Sequence, residues 1–250
     1  MRPLITLLTD FGTSDGYVGE MKGVLLAQAP EAAVVDVSHD VAPQDVEGAR
    51  LALARYWRRF PVGTVHLVVV DPGVGSARRA LAVESDGRSL VGPDNGVLSP
   101  SLLFAGARAV MLPVPVSAAP TFHGRDVFAP AAARLAGGAA LDELGPPCDD
   151  CVVRRTPEPH RRDDGAIVGE VITVDRFGNA VTNLMTRREG VLEVGALRLP
   201  LRRTYADAPS RELVAVVGSS GLVEIALRDG SAAERLGLRR GAQVVLRPSG

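Results

Sequence analysis

The residues best placed to do chemistry lie in the stretch His66 to Arg79, HLVVVDPGVGSARR. A β-branched run, Val68 to Val70, delivers Asp71 into a Pro72–Gly75 turn, and Arg78 and Arg79 follow. Open α/β folds bind ligands at the carboxyl ends of their strands, so a carboxylate at such an end is a site signal. The competing reading is a strand closed by a Pro-Gly turn with Asp as a local cap. Two further apolar runs end the same way, in Asp10 and in the segment from Asp36 to Asp40. Carboxylates on one rim suit a hydroxyl-rich ligand such as a ribose, because one carboxylate can accept from two vicinal hydroxyls. Asp10 has no local capping task before Gly12. Asp15 or Ser14 can cap the next helix, and His39 and Asp40 can simply close a turn.

His123 sits between Phe122 and Gly124 at the start of a helical pattern, where a glycine lets backbone approach a ligand. Further on, Asp175, Phe177 and Asn179 fall in DRFGN, with Thr182-Asn183 close behind. An asparagine amide pairs donor with acceptor and suits a nucleobase edge; an Asx-rich hairpin turning at Gly178 fits equally. Gly218-Ser219-Ser220-Gly221 precedes Glu224, an isolated charge in an apolar strand that either faces solvent or accepts from a ligand amine.

These residues need a scaffold. Expected strands are Leu4 to Thr9, Ala33 to Val37, Val65 to Val70, Ala80 to Glu84, Ser89 to Val91 and Ala109 to Leu112. Helices are expected over Tyr17 to Gln28, over Asp45 to Arg59 with Val46, Ala49, Leu53 and Trp57 on one face, from about Ser99, and from His123 to about Ala136. This alternation predicts an α/β domain over residues 1–150 with a largely parallel sheet flanked by helices. Residues 151–165, rich in Pro, Arg and Asp, read as a linker. Residues 166–250 hold seven short strand patterns, turns such as 187–190 and 228–230, and one helical patch from Ser231 to Leu236. They predict a smaller antiparallel β-barrel or sandwich.

Composition narrows the function. A chain of 250 residues with a net charge of −1 gives no case for a nucleic-acid or membrane partner. No apolar stretch approaches the roughly 20 residues of a membrane span, and the N-terminal apolar run is too short for a signal peptide, so a cytoplasmic protein is expected. Cys148 and Cys151 form a lone CxxC in an acidic, Pro-rich loop; without two more ligands it is no zinc site, and it reads as incidental or weakly structural.

Five segments in one order, LLTDFGTSDGYVGEMKG, VVDPGVGSARR, VGPDNG, FHGRDVFAP and DRFGNAVTN, resemble the S-adenosyl-L-methionine (SAM) hydroxide adenosyltransferases, also called adenosine-forming SAM hydrolases. These are relatives of the SAM-dependent fluorinase and chlorinase. The resemblance spans nearly the whole chain. It implies an α/β domain followed by a β-barrel, and a homotrimer with active sites between subunits. It further implies attack of water or hydroxide at ribose C5′, releasing adenosine and methionine, with SAM as substrate, no cofactor and no metal. By position it assigns water activation to Asp71, Arg78 and His123, ribose binding to Asp10, the methionine amine to Asp175, and the adenine edge to Asn179 with Phe177 nearby. Tyr205 matches an aromatic near adenine and Ser219 a residue near the methionine carboxylate. The arginine that follows in halogenases is Ser220 here. Halogenases carry a tyrosine at the position of Asp71, an aromatic at His123 and a tryptophan at Gln44, and the fluorinating members an insertion near the Asp86-Gly87-Arg88 turn. Their absence favours the hydrolase. Asp15, Phe122, Gly124 and Glu224 complete the expected substrate-binding set. A SAM-dependent halogenase, a non-catalytic SAM or adenosine binder, and a metal-dependent hydrolase using Asp10, His39, Asp71 and His123 remain as alternatives.

Overall fold

The computed structural model describes residues 2–186 and 189–248 and divides into two compact units, Met1–Arg155 and Thr156–Gly250. The expected turn at 187–190 begins on Arg187 and Arg188, which lie outside the described residues.

The first unit runs β1 (Leu4–Thr9), α1 (Tyr17–Gln28), β2 (Ala33–Ser38), α2 (Val46–Tyr56), β3 (Val65–Val69), β4 (Ala80–Ser85), β5 (Arg88–Pro93), α3 (Ser99–Leu102), β6 (Arg108–Leu112) and α4 (Ala129–Ala136). A 3-10 turn, Trp57–Arg59, extends α2, and a π-helical turn, Gly124–Phe128, leads into α4. The sheet order is β2-β1-β3-β5-β4-β6. β2, β1, β3 and β5 pair in parallel and β4 is antiparallel to both β5 and β6, so the sheet is largely parallel as expected.

The apolar run of β3 serves both faces at once. Val65, Leu67 and Val69 join α1 and α4 in one core, and Val68 and Val70 join α2 in the other. A strand buried on both sides reads as continuous apolar sequence for this reason. Each leucine or valine so buried contributes about 1.5–3 kcal/mol. Asp71 continues the 65-67-69 parity, the side on which α4 packs.

Helix α1 buries Val18, Met21 and Leu25. Its start differs from expectation. Gly16, left-handed at φ 80°, occupies the N-cap position with no side-chain cap, so neither Ser14 nor Asp15 has that role, and Asp15 is exposed. Asp45 does cap α2, accepting from Gly48 N at 3.0 Å. The helix expected from Ser99 is a single turn.

The second unit runs β7 (His160–Arg161), β8 (Ile167–Val174), β9 (Ala180–Met185), β10 (Val191–Val194), β11 (Leu197–Arg202), β12 (Leu213–Val217), β13 (Leu222–Leu227), α5 (Ala232–Leu236) and β14 (Gln243–Arg247). The order β14-β10-β11-β12-β13-β9-β8 closes through a β14–β8 pairing, giving a seven-stranded barrel with β7 appended to β8. The barrel is not wholly antiparallel: β11 and β12 pair in parallel. An odd ring cannot alternate direction all the way round, so a closed barrel of seven needs a parallel seam. Val171, Leu184, Leu192, Ile225 and Leu246 fill the interior.

Candidate active site

Three of the expected residues meet at the carboxyl end of β3. The turn after Asp71 is tight: Val74 N bonds Asp71 O at 3.2 Å, and Gly75 adopts φ 76°. A Cβ on Gly75 would sit 2.6 Å from the carbonyl oxygen of Pro120, so only glycine lets this turn lie against the segment leading to His123. The chain doubles back and brings Arg78 onto Asp71 as a fork. Arg78 Nε donates to Asp71 Oδ1 at 3.0 Å, and Nη2 donates to Oδ2. Both side chains are nearly buried, 5% exposed for Asp71 and 7% for Arg78. A bidentate arginine–carboxylate pair fixes orientation as well as charge.

Arg78 Nη2 also reaches His123 Nδ1 at 3.2 Å. A guanidinium has no acceptor, so Nδ1 accepts and the imidazole proton sits on Nε2. Burial, reinforced by the Arg78 charge, holds His123 below the usual histidine range. Burial pushes Asp71 above the usual carboxylate range, against the opposing pull of Arg78 and a weaker one from His123. Arg78 therefore stands between the acid and the imidazole. Its guanidinium rests over the Phe128 ring, 5.4 Å from the centroid.

The segment carrying His123 is itself clamped. Asp126 takes both Nε and Nη2 of Arg125 and accepts from Ala119 N at 2.8 Å, and Arg125 Nη1 reaches Glu20 on α1. Phe122 packs edge-on against Tyr17 at 5.3 Å and Phe11 at 5.9 Å. Gly124 serves this packing: a Cβ there would meet Phe122 at 3.1 Å and the Met21 sulfur at 3.2 Å.

Asp10 has a partner the sequence did not disclose. Its Oδ2 accepts from Gln44 N at 2.7 Å, and Gln44 takes the left-handed φ of 66°. The loop is tied down further by Gly12 N on His39 O at 2.9 Å and by His39 Nδ1 on Thr9 Oγ1 at 2.8 Å. His39 Nε2 lies 3.1 Å from Asp36 Oδ1, and Asp36 also holds Lys22. Among the described residues no three His, Cys, Asp or Glu side chains converge as a metal site, so Asp10, His39, Asp71 and His123 are not gathered for one.

Within the second unit, Asp175 organises the β8–β9 turn. Oδ1 accepts from Phe177 N and Asn179 N at 2.9 Å each, and Oδ2 from Asn179 Nδ2 at 3.0 Å. Asn179 is buried, whereas Phe177 is 77% exposed. Glu224 does not face solvent. It is 5% exposed, and its Oε2 accepts from Tyr205 Oη at 2.7 Å. Ser219 is exposed in the β12–β13 turn, where Gly221 N bonds Gly218 O.

Residues 5–145 match the model of the SAM hydroxide adenosyltransferase N-terminal domain, and residues 169–245 that of the C-terminal domain. The chain belongs to the SAM hydroxide adenosyltransferase family. It is 45% identical to the (R)-S-adenosyl-L-methionine hydrolase of Thermus thermophilus over 98% of this chain and all of that one. It is 42% identical to the hydrolase of the same name from Salinispora arenicola, over 97% of each chain. The fluorinase of Nocardia brasiliensis is more distant, 29% identical over 97% of this chain and 96% of its own. That alignment extends over 288 residues, more than the 250 of this chain, so the fluorinase carries added residues. The crystal structure of a conserved hypothetical protein from Thermus thermophilus superposes with a TM-score of 0.84 at 44% identity, covering 99% of this chain and 100% of that one.

Arg79 has ion-pair partners that the sequence does not announce. Arg79 Nη2 lies 2.6 Å from the buried carboxylate of Asp94, and its Nη1 pairs with Asp150. Alternation of charge and glycine gave no signal for it, because its partners lie 15 and 71 residues away.

Proposed function

We propose that this chain hydrolyses S-adenosyl-L-methionine to adenosine and L-methionine, with Asp71, Arg78 and His123 handling the attacking water. Water oxygen forms a bond to ribose C5′ as the C5′–S bond breaks. The sulfur leaves with the bonding pair as the neutral thioether of methionine, and one water proton is released to Asp71. A sulfonium needs no protonation to leave, so the protein's task is to orient water and to shield it from competing nucleophiles. Asp71, held above the ordinary carboxylate range by burial, is a better proton acceptor than a free carboxylate. His123, carrying its proton on Nε2, donates a hydrogen bond to the water oxygen and leaves proton acceptance to Asp71.

The observation that carries this reading is the shared donor: Arg78 Nη2 serves both Asp71 and His123, so acid and imidazole are fixed relative to each other. The names of the relatives extend the reading to the (R) sulfonium epimer as substrate. Asp10, with Oδ2 on Gln44, offers Oδ1 to the ribose hydroxyls. Asp175, Asn179, Phe177, Tyr205, Ser219 and Glu224 are proposed to receive the rest of the substrate, and Asp15, Phe122 and Gly124 to line its ribose side. Phe177 and Tyr205 stand exposed, and the further reading is of sites completed between subunits of a homotrimer, in the cytoplasm. Light scattering of the purified chain reads that stoichiometry.

The test is incubation with each sulfonium epimer, with and without chloride or fluoride, and product analysis by mass spectrometry. Adenosine plus methionine, faster from the (R) epimer, is expected. Halogenated adenosine would overturn the assignment in favour of a halogenase, and intact ligand in favour of a binder.

A further inference from the structure

The segment VGPDNG contributes no side chain to the water-handling trio, yet it grips the trio's loop at both ends. β5 runs parallel to β3 with Val91 opposite Leu67. Gly92 then passes so close to β3 that a Cβ would lie 2.4 Å from Val68 O. The close approach carries the next residues to the end of β3. Asn95 Nδ2 donates to Val70 O at 2.9 Å, one residue before Asp71. Its Oδ1 accepts from Val97 N at 3.1 Å, which fixes the orientation of the amide.

The preceding residue holds the other end. Asp94 N donates to Arg79 O at 2.9 Å, one residue after Arg78, and Asp94 Oδ2 accepts from Arg79 Nε at 2.8 Å. Asp94 Oδ1 accepts from Val152 N at 2.7 Å, so the carboxylate is anchored on both oxygens and is only 2% exposed. The grip reaches the guanidinium directly, since Arg79 O also accepts from Arg78 Nη1 at 3.1 Å.

We infer that Asp94 and Asn95 are positioning residues that close the 71–78 loop from both sides and so hold Arg78 in its fork on Asp71. Two consecutive side chains bonded to the two residues that flank this loop have the geometry of a clamp. The inference rests on the reading of Asp71 and Arg78 as the water-handling pair. A loop left open at either end lets the fork loosen, and misplacement on the order of 1 Å at a reacting pair can cost about 100-fold in rate.

The variants are Asn95→Ala and Asp94→Asn in the full chain, assayed with (R)-SAM across pH, with adenosine binding followed by calorimetry. The groups facing Asp71 are the Arg78 cation and the titratable imidazole of His123. With the Arg78 fork loosened, burial is less opposed, so the acid limb of kcat moves to higher pH. The expected result is a fall in kcat of about 10-fold or more with KM changed less than about 3-fold, and the acid limb displaced upward. An unchanged kcat, or a reduced kcat whose acid limb stays at or falls below the wild-type position, overturns the clamp. Should Asn95→Ala fail to fold, Asp94→Asn, which keeps the backbone bond to Arg79, carries the test. Titration of the Asp71 carboxyl by carbon-13 NMR without substrate reads the same upward displacement independently of turnover. A wild-type chain inert toward SAM would then sink the proposed function alone.

Discussion

Arg78 Nη2 donates to His123 Nδ1 at 3.2 Å while the same nitrogen holds Asp71. One arginine thus sets the orientation of a carboxylate and the tautomer of an imidazole. The direct consequence is an Nε2–H ring that stays neutral through the physiological range, because burial and the neighbouring cation both disfavour a second proton. Nitrogen-15 NMR should show a pyridine-like Nδ1 and a protonated Nε2, with no titration at the usual pH of 6.5. In Arg78→Met the Nδ1 acceptor loses its partner and the titration should rise toward the ordinary value. A wild-type ring titrating at 6.5 or above would contradict the assignment.

Asp71 works as an acceptor only when ionised. Its folded pKa is raised by burial, so activity should be lost, as pH falls, earlier than an ordinary carboxylate would dictate. Asp71→Asn removes the acceptor but keeps the volume. The expected outcome is a fall in kcat of roughly 100- to 10,000-fold, the usual range for a positioned base, with adenosine affinity little changed. Wild-type turnover in that variant would remove Asp71 from the mechanism.

The strand ends were legible in the sequence because they are local, whereas Asp71, Arg78 and His123 were grouped only by the family resemblance, His123 lying 45 residues beyond Arg78. A β-branched run, an acid and a glycine turn announce a strand delivering a carboxylate, and β1, α1 and β3 lie where the apolar pattern placed them. The barrel seam was not legible: pairing direction across β11 and β12 depends on closure of the whole ring. Asp10 shows the same limit. Its bond partner is the backbone N–H of Gln44, 34 residues away, and a backbone group leaves no mark in the choice of side chain. Glu224 was ambiguous because an isolated charge in a strand looks the same whether solvated or buried against a tyrosine 19 residues earlier.

That tyrosine gives a stability prediction. Tyr205→Phe leaves the buried Glu224 carboxylate without its hydroxyl donor, at a cost of about 1–3 kcal/mol. Gly218→Ala attacks the same group sterically, since a Cβ would fall 1.7 Å from Glu224 Oε1. Both variants should unfold at lower denaturant than wild type, and Gly218→Ala should also displace the carboxylate in a crystal structure. Unaltered midpoints in both would show that the Glu224 site tolerates an unpaired acid.

Cys148 and Cys151 approach to 3.3 Å between sulfurs, a spacing that suggests redox chemistry. Ionisation argues otherwise. Burial, together with the hydrogen bond to Cys148, pushes the Cys151 thiol up to about 12, so almost none of Cys151 is thiolate at neutral pH. Cys148 is a member of the core beside Leu81 and Leu98. Alkylation of the folded chain by iodoacetamide at neutral pH should therefore be far slower than that of the unfolded chain in denaturant. Rapid modification of the native protein would identify Cys151 as reactive after all.

His66 supplies an acid-sensitive element in the core. It is fully buried on β3, with Nδ1 2.7 Å from Thr6 Oγ1 and its ring edge-on to Tyr56 and Phe60. Burial pulls its pKa from 6.5 down to about 4. Between those values the unfolded chain binds a proton that the folded chain refuses, so stability declines as pH falls from about 6.5 and levels off below about 4. The full effect is roughly 3 kcal/mol. Replacing the imidazole with a non-titrating ring, His66→Phe, should flatten the pH dependence of the unfolding free energy over that interval, even though the loss of the Thr6 bond lowers stability at neutral pH. A variant that keeps the wild-type slope between about pH 4 and 6.5 would place the acid sensitivity elsewhere.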